Sequence, residues 1–131
     1  MKLGIFGYPK VGKTTLFNLL TRLEAATDKF STGHAAPNVG TARVSDERME
    51  RLSALFKPKK TTYATVEYVD VVGLNTGEMK ESVDLGALRP ADALVHVVRA
   101  FDDPEIQHAP GAIDPRRHIR ARESELLLAG L

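Results

Sequence analysis

Two periods of apolar positions run through the chain. Leu3-Gly4-Ile5-Phe6 forms a short strand-like run, and behind it Leu16, Leu19, Leu20 and Leu23 recur at i, i+3, i+4 and i+7, the spacing of one helical face. Residues 24–40 are polar, hold Gly33, Pro37 and Gly40 and show no period, so they read as a long loop, a kind of segment that is usually functional or mobile. Thr41-Ala42-Arg43-Val44 predicts a short strand. Ser45 or Asp46 is placed to cap a helix with apolar positions Met49, Leu52 and Leu55 or Phe56, and Pro58 stops it within the basic turn 57–60. Residues 61–72, rich in Thr, Tyr and Val, predict the best strand of the chain.

Further on, 74–82 are polar and 83–89 predict a short helix halted by Pro90. The unbroken apolar run 93–98 predicts a buried parallel strand, and 101–113 read as another loop. Asp114 caps a last helix with Pro115 at its first position and an apolar stripe of Ile119, Leu126 and Leu127. Strands alternating with helices predict an α/β fold with a mostly parallel sheet. No internal repeat or low-complexity tract is present.

Composition changes this picture little. At 131 residues the chain is one domain's worth, with 43% hydrophobic and 27% charged residues, as expected of a soluble globular protein. The net charge of +1 does not by itself indicate a nucleic-acid or membrane-surface partner. There are no cysteines, hence no disulfide framework and no thiolate metal site. No apolar run approaches membrane-spanning length, and the N-terminus leads directly into the first strand. A cytoplasmic protein without membrane attachment is the expectation.

The candidate chemistry is concentrated in residues 7–14, Gly7-Tyr8-Pro9-Lys10-Val11-Gly12-Lys13-Thr14. They fill every fixed position of G-x-x-x-x-G-K-[ST], between a strand and a helix, which is the context this phosphate-binding pattern requires. Gly7 and Gly12 allow the close approaches by which successive N–H groups converge on one anion. The helix adds its unpaired N-terminal N–H groups, Thr15 among them, and the positive end of its dipole. Lys13 is expected to reach the β- and γ-phosphates, and the Thr14 hydroxyl to ligate Mg²⁺.

Asp70-x-x-Gly73 at the end of the best strand adds a carboxylate for the Mg²⁺ site and an N–H at Gly73 for the γ-phosphate. Alone this signal is weak. Ligand sites of open α/β sheets lie at the carboxyl ends of the strands, so the two motifs are expected to meet in space. Together they point to a nucleotide switch, a segment ordered by the γ-phosphate and released on hydrolysis.

The strings GYPKVGKTTLFN, APNVG, FKPKK with TVEYVDVVGL, ALVHVVRAF, and DPRR…SELLLAGL resemble the N-terminal stretch of YchF-type, Obg-like ATPases of the translation-factor class of P-loop GTPases. The resemblance spans nearly the whole chain. It implies a three-layer P-loop NTPase fold, ATP or GTP as substrate with Mg²⁺, and association with the ribosome. In that family a coiled-coil insertion and a TGS domain follow, and the base-reading motif and last strands lie beyond residue 131. The expectation is therefore a sheet incomplete at its C-terminal side, with the strand at 93–98 as an open edge that invites self-association.

Several positions bear on catalysis, some of them departures from the family pattern. Leu74 stands where many GTPases carry a water-orienting glutamine and where the family, too, carries a hydrophobic residue; slow turnover follows unless another group positions the water. His108 lies in a run resembling a family loop whose histidine has a catalytic role, and is the candidate; an exposed loop histidine is the alternative. Lys10 replaces the family's Asn. Its ammonium either serves transition-state charge, as an arginine finger does, or points into solvent. His34 stands where the family tends to carry threonine, so either Thr32 closes over Mg²⁺ by a register shift or that contact is lost; the stretch after Leu74 is also shortened. His96 reads as a core residue of its strand. His118, among Arg116, Arg117 and Arg120, reads as solvated surface. Those arginines with Arg122, and the basic turn 57–60, are candidates for ribosomal RNA contact.

Two functions follow. The first is an Mg²⁺-dependent nucleoside triphosphatase cutting the β–γ bond. The second is a nucleotide-gated interaction module with negligible turnover. A small-molecule kinase is disfavoured, because DxxG followed by an apolar residue is a switch feature rather than an acceptor site.

Overall fold

The computed structural model of the chain describes residues 1–25, 36–71, 85–106 and 112–130. Thr32, His34, Gly73, Leu74 and His108 lie outside them. The elements run β1 (Lys2–Phe6), α1 (Lys13–Thr21), β2 (Asn38–Arg43), α2 (Glu47–Phe56), β3 (Thr65–Asp70), α3 (Leu85–Leu88), β4 (Ala93–His96) and α4 (Pro115–Leu128). The sheet order is β2-β3-β1-β4. β1 pairs in parallel with β3 (Ile5 opposite Asp70) and with β4 (Phe6 opposite His96). β2 runs antiparallel to β3, with Asn38 opposite Asp70. The mostly parallel α/β sheet expected from the alternating pattern is present.

Successive β1 side chains divide the layers. Phe6 joins Val69, Val71 and Leu88 in the core, with Ala87 and Leu126 packed against it. The second layer, α1, lies against β1, β2 and β3. A Cβ at Gly40 would come within 2.7–3.0 Å of Leu23, Thr21 and Phe17, so a bare backbone there lets the helix seat on β2.

Several expectations are corrected. The α1 stripe of leucines is not the inward face: Leu19 is 75% exposed, and Lys13, Phe17 and Thr21 are the buried positions. The rotation of α1 is fixed by Lys13, which must turn into the loop before it, and Phe17 and Thr21 follow at i+4 and i+8. The strand expected at 41–44 begins earlier, at Asn38, taking the end of the expected loop, and the strand expected over 61–72 is confined to Thr65–Asp70. β4 is shorter than the run 93–98 and carries exposed residues at Ala93 and Leu94. It pairs with β1 and, among the described residues, with no other strand.

The capping reading holds. Asp46 accepts the Arg48 N–H (2.9 Å) and Asp114 the Arg117 N–H (3.1 Å), with Pro115 opening α4. α2 nonetheless buries no residue, and Phe56 is 74% exposed. After β4, buried Arg99 gathers the turn 101–106 by donating to the carbonyls of Phe101, Asp103 and Ile106 (2.9–3.1 Å) and lies over the Phe101 ring.

Candidate functional site

The loop 7–12 leaves β1 at the carboxyl edge of the sheet. Gly7 has φ +149°, and a Cβ there would collide with the Val97 carbonyl oxygen; the loop lies directly on the chain leaving β4. Lys10 is left-handed (φ 59°) and Gly12, the α1 N-cap, likewise (φ 101°). A left-handed lysine costs about 1–2 kcal/mol, so the loop holds a conformation that the residue itself disfavours, as sites with backbone strain do. Alternation of hand turns successive N–H groups toward one side.

The three longer helices differ at their starts in a telling way. α2 and α4 have an Asp side chain on their first N–H groups. α1 has no side-chain cap bond and no acidic residue in its first turn. Its N-terminus therefore presents donors and a positive dipole end to an external anion. Lys13, buried, donates from Nζ to the Tyr8 carbonyl (2.9 Å), so its ammonium is folded back across the loop rather than out into water. Lys10 is exposed at the crest, Val11 is buried beneath it, Pro9 is half-buried and Thr15 is exposed.

The two sequence motifs meet. Thr14 Oγ1 donates to Asp70 Oδ2 at 2.6 Å across the gap between α1 and β3. Asn38 Nδ2 donates to the same oxygen at 3.2 Å. Asp70 is fully buried (0% exposed), and its Oδ1 has no hydrogen-bond partner among the described residues. A buried carboxylate oxygen without a donor beside a threonine hydroxyl and an uncapped helix start fits a hard divalent cation. No group of three or more His, Asp or Glu side chains gathers elsewhere among the described residues. Mg²⁺ bound through one or two side chains plus substrate phosphates needs no such cage.

Sequence reasoning missed Asn38. Its role comes from the antiparallel register that sets it opposite Asp70, and only the Pro-Asn before a Val-Gly run hinted at it. It also misplaced α4. His118 and Arg122, read as surface, are 1% and 2% exposed, and the expected stripe residue Leu127 faces outward. The reason is one turn spacing: positions 118, 122 and 126 share the inward face, and the loop's Tyr8 ring receives the first two. Arg122 lies 3.9 Å over the Tyr8 ring and His118 meets it edge-on at 5.2 Å. His96 keeps its core reading, half-buried and stacked on Phe6 at 4.6 Å. Burial pushes both imidazoles below the ordinary histidine value. Arg122 and His118 add to the shift at His96, and Arg117 and Arg122 at His118, with Glu123 and Asp114 respectively opposing.

A family model described as 50S ribosome-binding GTPase matches residues 2–127. The chain belongs to this family. It is 39% identical over 132 residues to the ribosome-binding ATPase YchF of Bacillus subtilis, covering 98% of this chain and 36% of that protein. It is 42% identical over 136 residues to the Haemophilus influenzae protein of the same name, covering 99% and 37%. The solved structure of the Schizosaccharomyces pombe YchF GTPase superposes with a TM-score of 0.62 at 30% identity, over 99% of this chain and 36% of that one. The chain thus spans little more than a third of the length of the relatives it matches. Within the family, the fold seen here is that of a P-loop GTPase domain. No helix among the described residues is long and apolar enough to cross a membrane.

Proposed function

We propose that the chain binds ATP or GTP with Mg²⁺ and hydrolyses the β–γ phosphoanhydride bond, slowly, with water as nucleophile, in a protein that works on the ribosome. The 2.6 Å contact of Thr14 with Asp70 beneath an uncapped helix start carries this reading. When bound, Mg²⁺ neutralises charge on the β- and γ-phosphates; Thr14 and Asp70 would hold it, joined by Thr32. The amides of 10–15 and of Gly73 bind the phosphate oxygens. Lys13 exchanges its bond to the Tyr8 carbonyl for one to phosphate, and its ammonium stabilises the negative charge that spreads over the transferred group.

Lys10, exposed on the loop's crest, supplies a second cation on the same side, and His108 is the group assigned to orient water. The names of the relatives suggest the ribosome as partner. Arg116 and Arg120, on the exposed side of α4, the turn 57–60, and Arg117, whose guanidinium also donates to the Ala112 carbonyl, are the cations this reading assigns to RNA phosphates.

Leu74 favours a second reading, a nucleotide-gated module without turnover, since its side chain cannot orient water. Single-turnover phosphate release from γ-labelled ATP and GTP separates the two. The enzyme reading expects release by the parent and none by Lys13→Ala. Tight binding without release selects the module. Absence of binding heat with either Mg-nucleotide overturns both.

A further inference from the structure

The Tyr8 residue touches two things at once. Its carbonyl holds the Lys13 ammonium at 2.9 Å. Its ring is covered by the Arg122 guanidinium at 3.9 Å and met edge-on by the His118 ring. His118 and Arg122 stand at i and i+4 on one face of α4 and are almost fully buried. Arg122 is also fixed from outside by hydrogen bonding to Glu125, which remains half exposed.

We propose that α4 is a positioning element for the nucleotide site: Arg122 and His118 clamp the Tyr8 ring, and Tyr8 in turn sets the path of the loop and the place of Lys13. The inference rests on the nucleotide reading above for its consequence, not for its geometry. A guanidinium over an aromatic face is a favourable cation–π pair, worth more when water is excluded. A neutral His118 suits the clamp, because a second cation against the same ring would oppose Arg122. Loosening α4 frees the Tyr8 peptide to turn, and the carbonyl that organises Lys13 turns with it. A partner that grips the exposed side of α4, where Arg116, Arg117 and Arg120 lie, would thereby change how tightly the loop holds a triphosphate.

Arg122 and Tyr8 are positioning residues in this scheme, and the test must read position rather than stability. Hydrogen exchange of the amides of Tyr8 and residues 10–15 is measured on the full chain without nucleotide, for the parent, Arg122→Leu, Tyr8→Leu, the double variant, Arg122→Lys and Tyr8→Phe. Affinity for Mg-ATP and Mg-GTP is measured on the same set. The clamp expects faster loop exchange and about tenfold weaker binding, about 1.4 kcal/mol, in either leucine variant. It expects no further loss in the double variant, recovery in Tyr8→Phe, which keeps the ring, and a loss in Arg122→Lys smaller than in Arg122→Leu, since lysine keeps the charge but not the planar stack. Additive losses, or loop exchange and affinity that stay at parent values while the melting temperature falls, overturn it. If the parent binds neither nucleotide, the nucleotide reading fails, and the exchange measurements alone still decide the clamp.

Discussion

Asp70→Asn separates a metal ligand from a structural strut, because the two roles predict opposite behaviour. The Asp70 carboxylate is fully buried, receives the Thr14 hydroxyl at 2.6 Å and the Asn38 amide at 3.2 Å on Oδ2, and offers Oδ1 to no donor among the described residues. Neutralising it weakens two charge-assisted bonds by about 1 kcal/mol each, and the new amide hydrogens at the Oδ1 position cost about 1–3 kcal/mol if unpaired. Against this stands relief from holding a desolvated anion, several kcal/mol in effect. The opposing terms cancel to within about 2 kcal/mol, which for a domain of this size is a change in melting temperature of under about 8 °C. Ligand-induced stabilisation behaves otherwise. At a Mg-nucleotide concentration 100 times the parent Kd, binding adds about 2.7 kcal/mol, or about 10 °C. A hundredfold weaker Kd in the variant leaves about 0.4 kcal/mol and a shift of under about 2 °C. Thermal unfolding followed by circular dichroism, with and without Mg-ATP or Mg-GTP, reads both quantities. An apo melting temperature lowered by more than about 15 °C, with the ligand shift intact, would make Asp70 a strut and refute the assignment.

Acid should destabilise the chain through buried His118 and half-buried His96. Both His96 and His118 are held below the ordinary value of 6.5, chiefly by burial. The unfolded chain therefore takes up protons first, so their contribution is complete above about pH 6.5 and is lost as pH falls through the lowered folded values. Urea midpoints at pH 8, 6.5 and 5 should fall toward acid, less steeply in His118→Asn; a slope unchanged in that variant would remove His118 from the account. Lys57→Gly should stabilise by about 0.5–1 kcal/mol: Lys57 caps α2 in the left-handed region (φ 45°), with its N–H on the Ser53 carbonyl, and glycine escapes that penalty at a smaller entropic cost in the unfolded chain. A lower urea midpoint for this variant would contradict the strain argument.

What could be read from the chain follows from how local each signal is. The loop 7–14, the Asp caps at 46 and 114 and Pro115 act through bonds within a few residues, and the structure keeps them. The meeting of Thr14 with Asp70 was also legible, because both motifs end parallel strands and parallel strands deliver their ends to one edge. Helix faces were not. The leucine spacing of α1 is a sound helical pattern, yet Lys13 sets the rotation, and a lysine was not counted as an inward residue. In α4 the inward face is His118, Arg122 and Leu126, two polar positions whose burial depends on a tyrosine more than a hundred residues earlier. No periodicity analysis weighs such a pair. Asn38 escaped for a related reason: its partner is set by antiparallel register, not by its neighbours.

The strand order has a consequence for how the protein is made. β1 precedes β3 and β4 in the chain, yet it sits between them, and their residues 65–70 and 93–96 complete its hydrogen bonding. At ribosomal speeds of about 5–20 residues per second, the phosphate loop emerges on the order of ten seconds before the strands that frame it. Through that interval its glycines are unconstrained, and Thr14 has no carboxylate to meet. The contact of Thr14 with Asp70 is therefore acquired late, when segments distant in sequence close around the loop that preceded them.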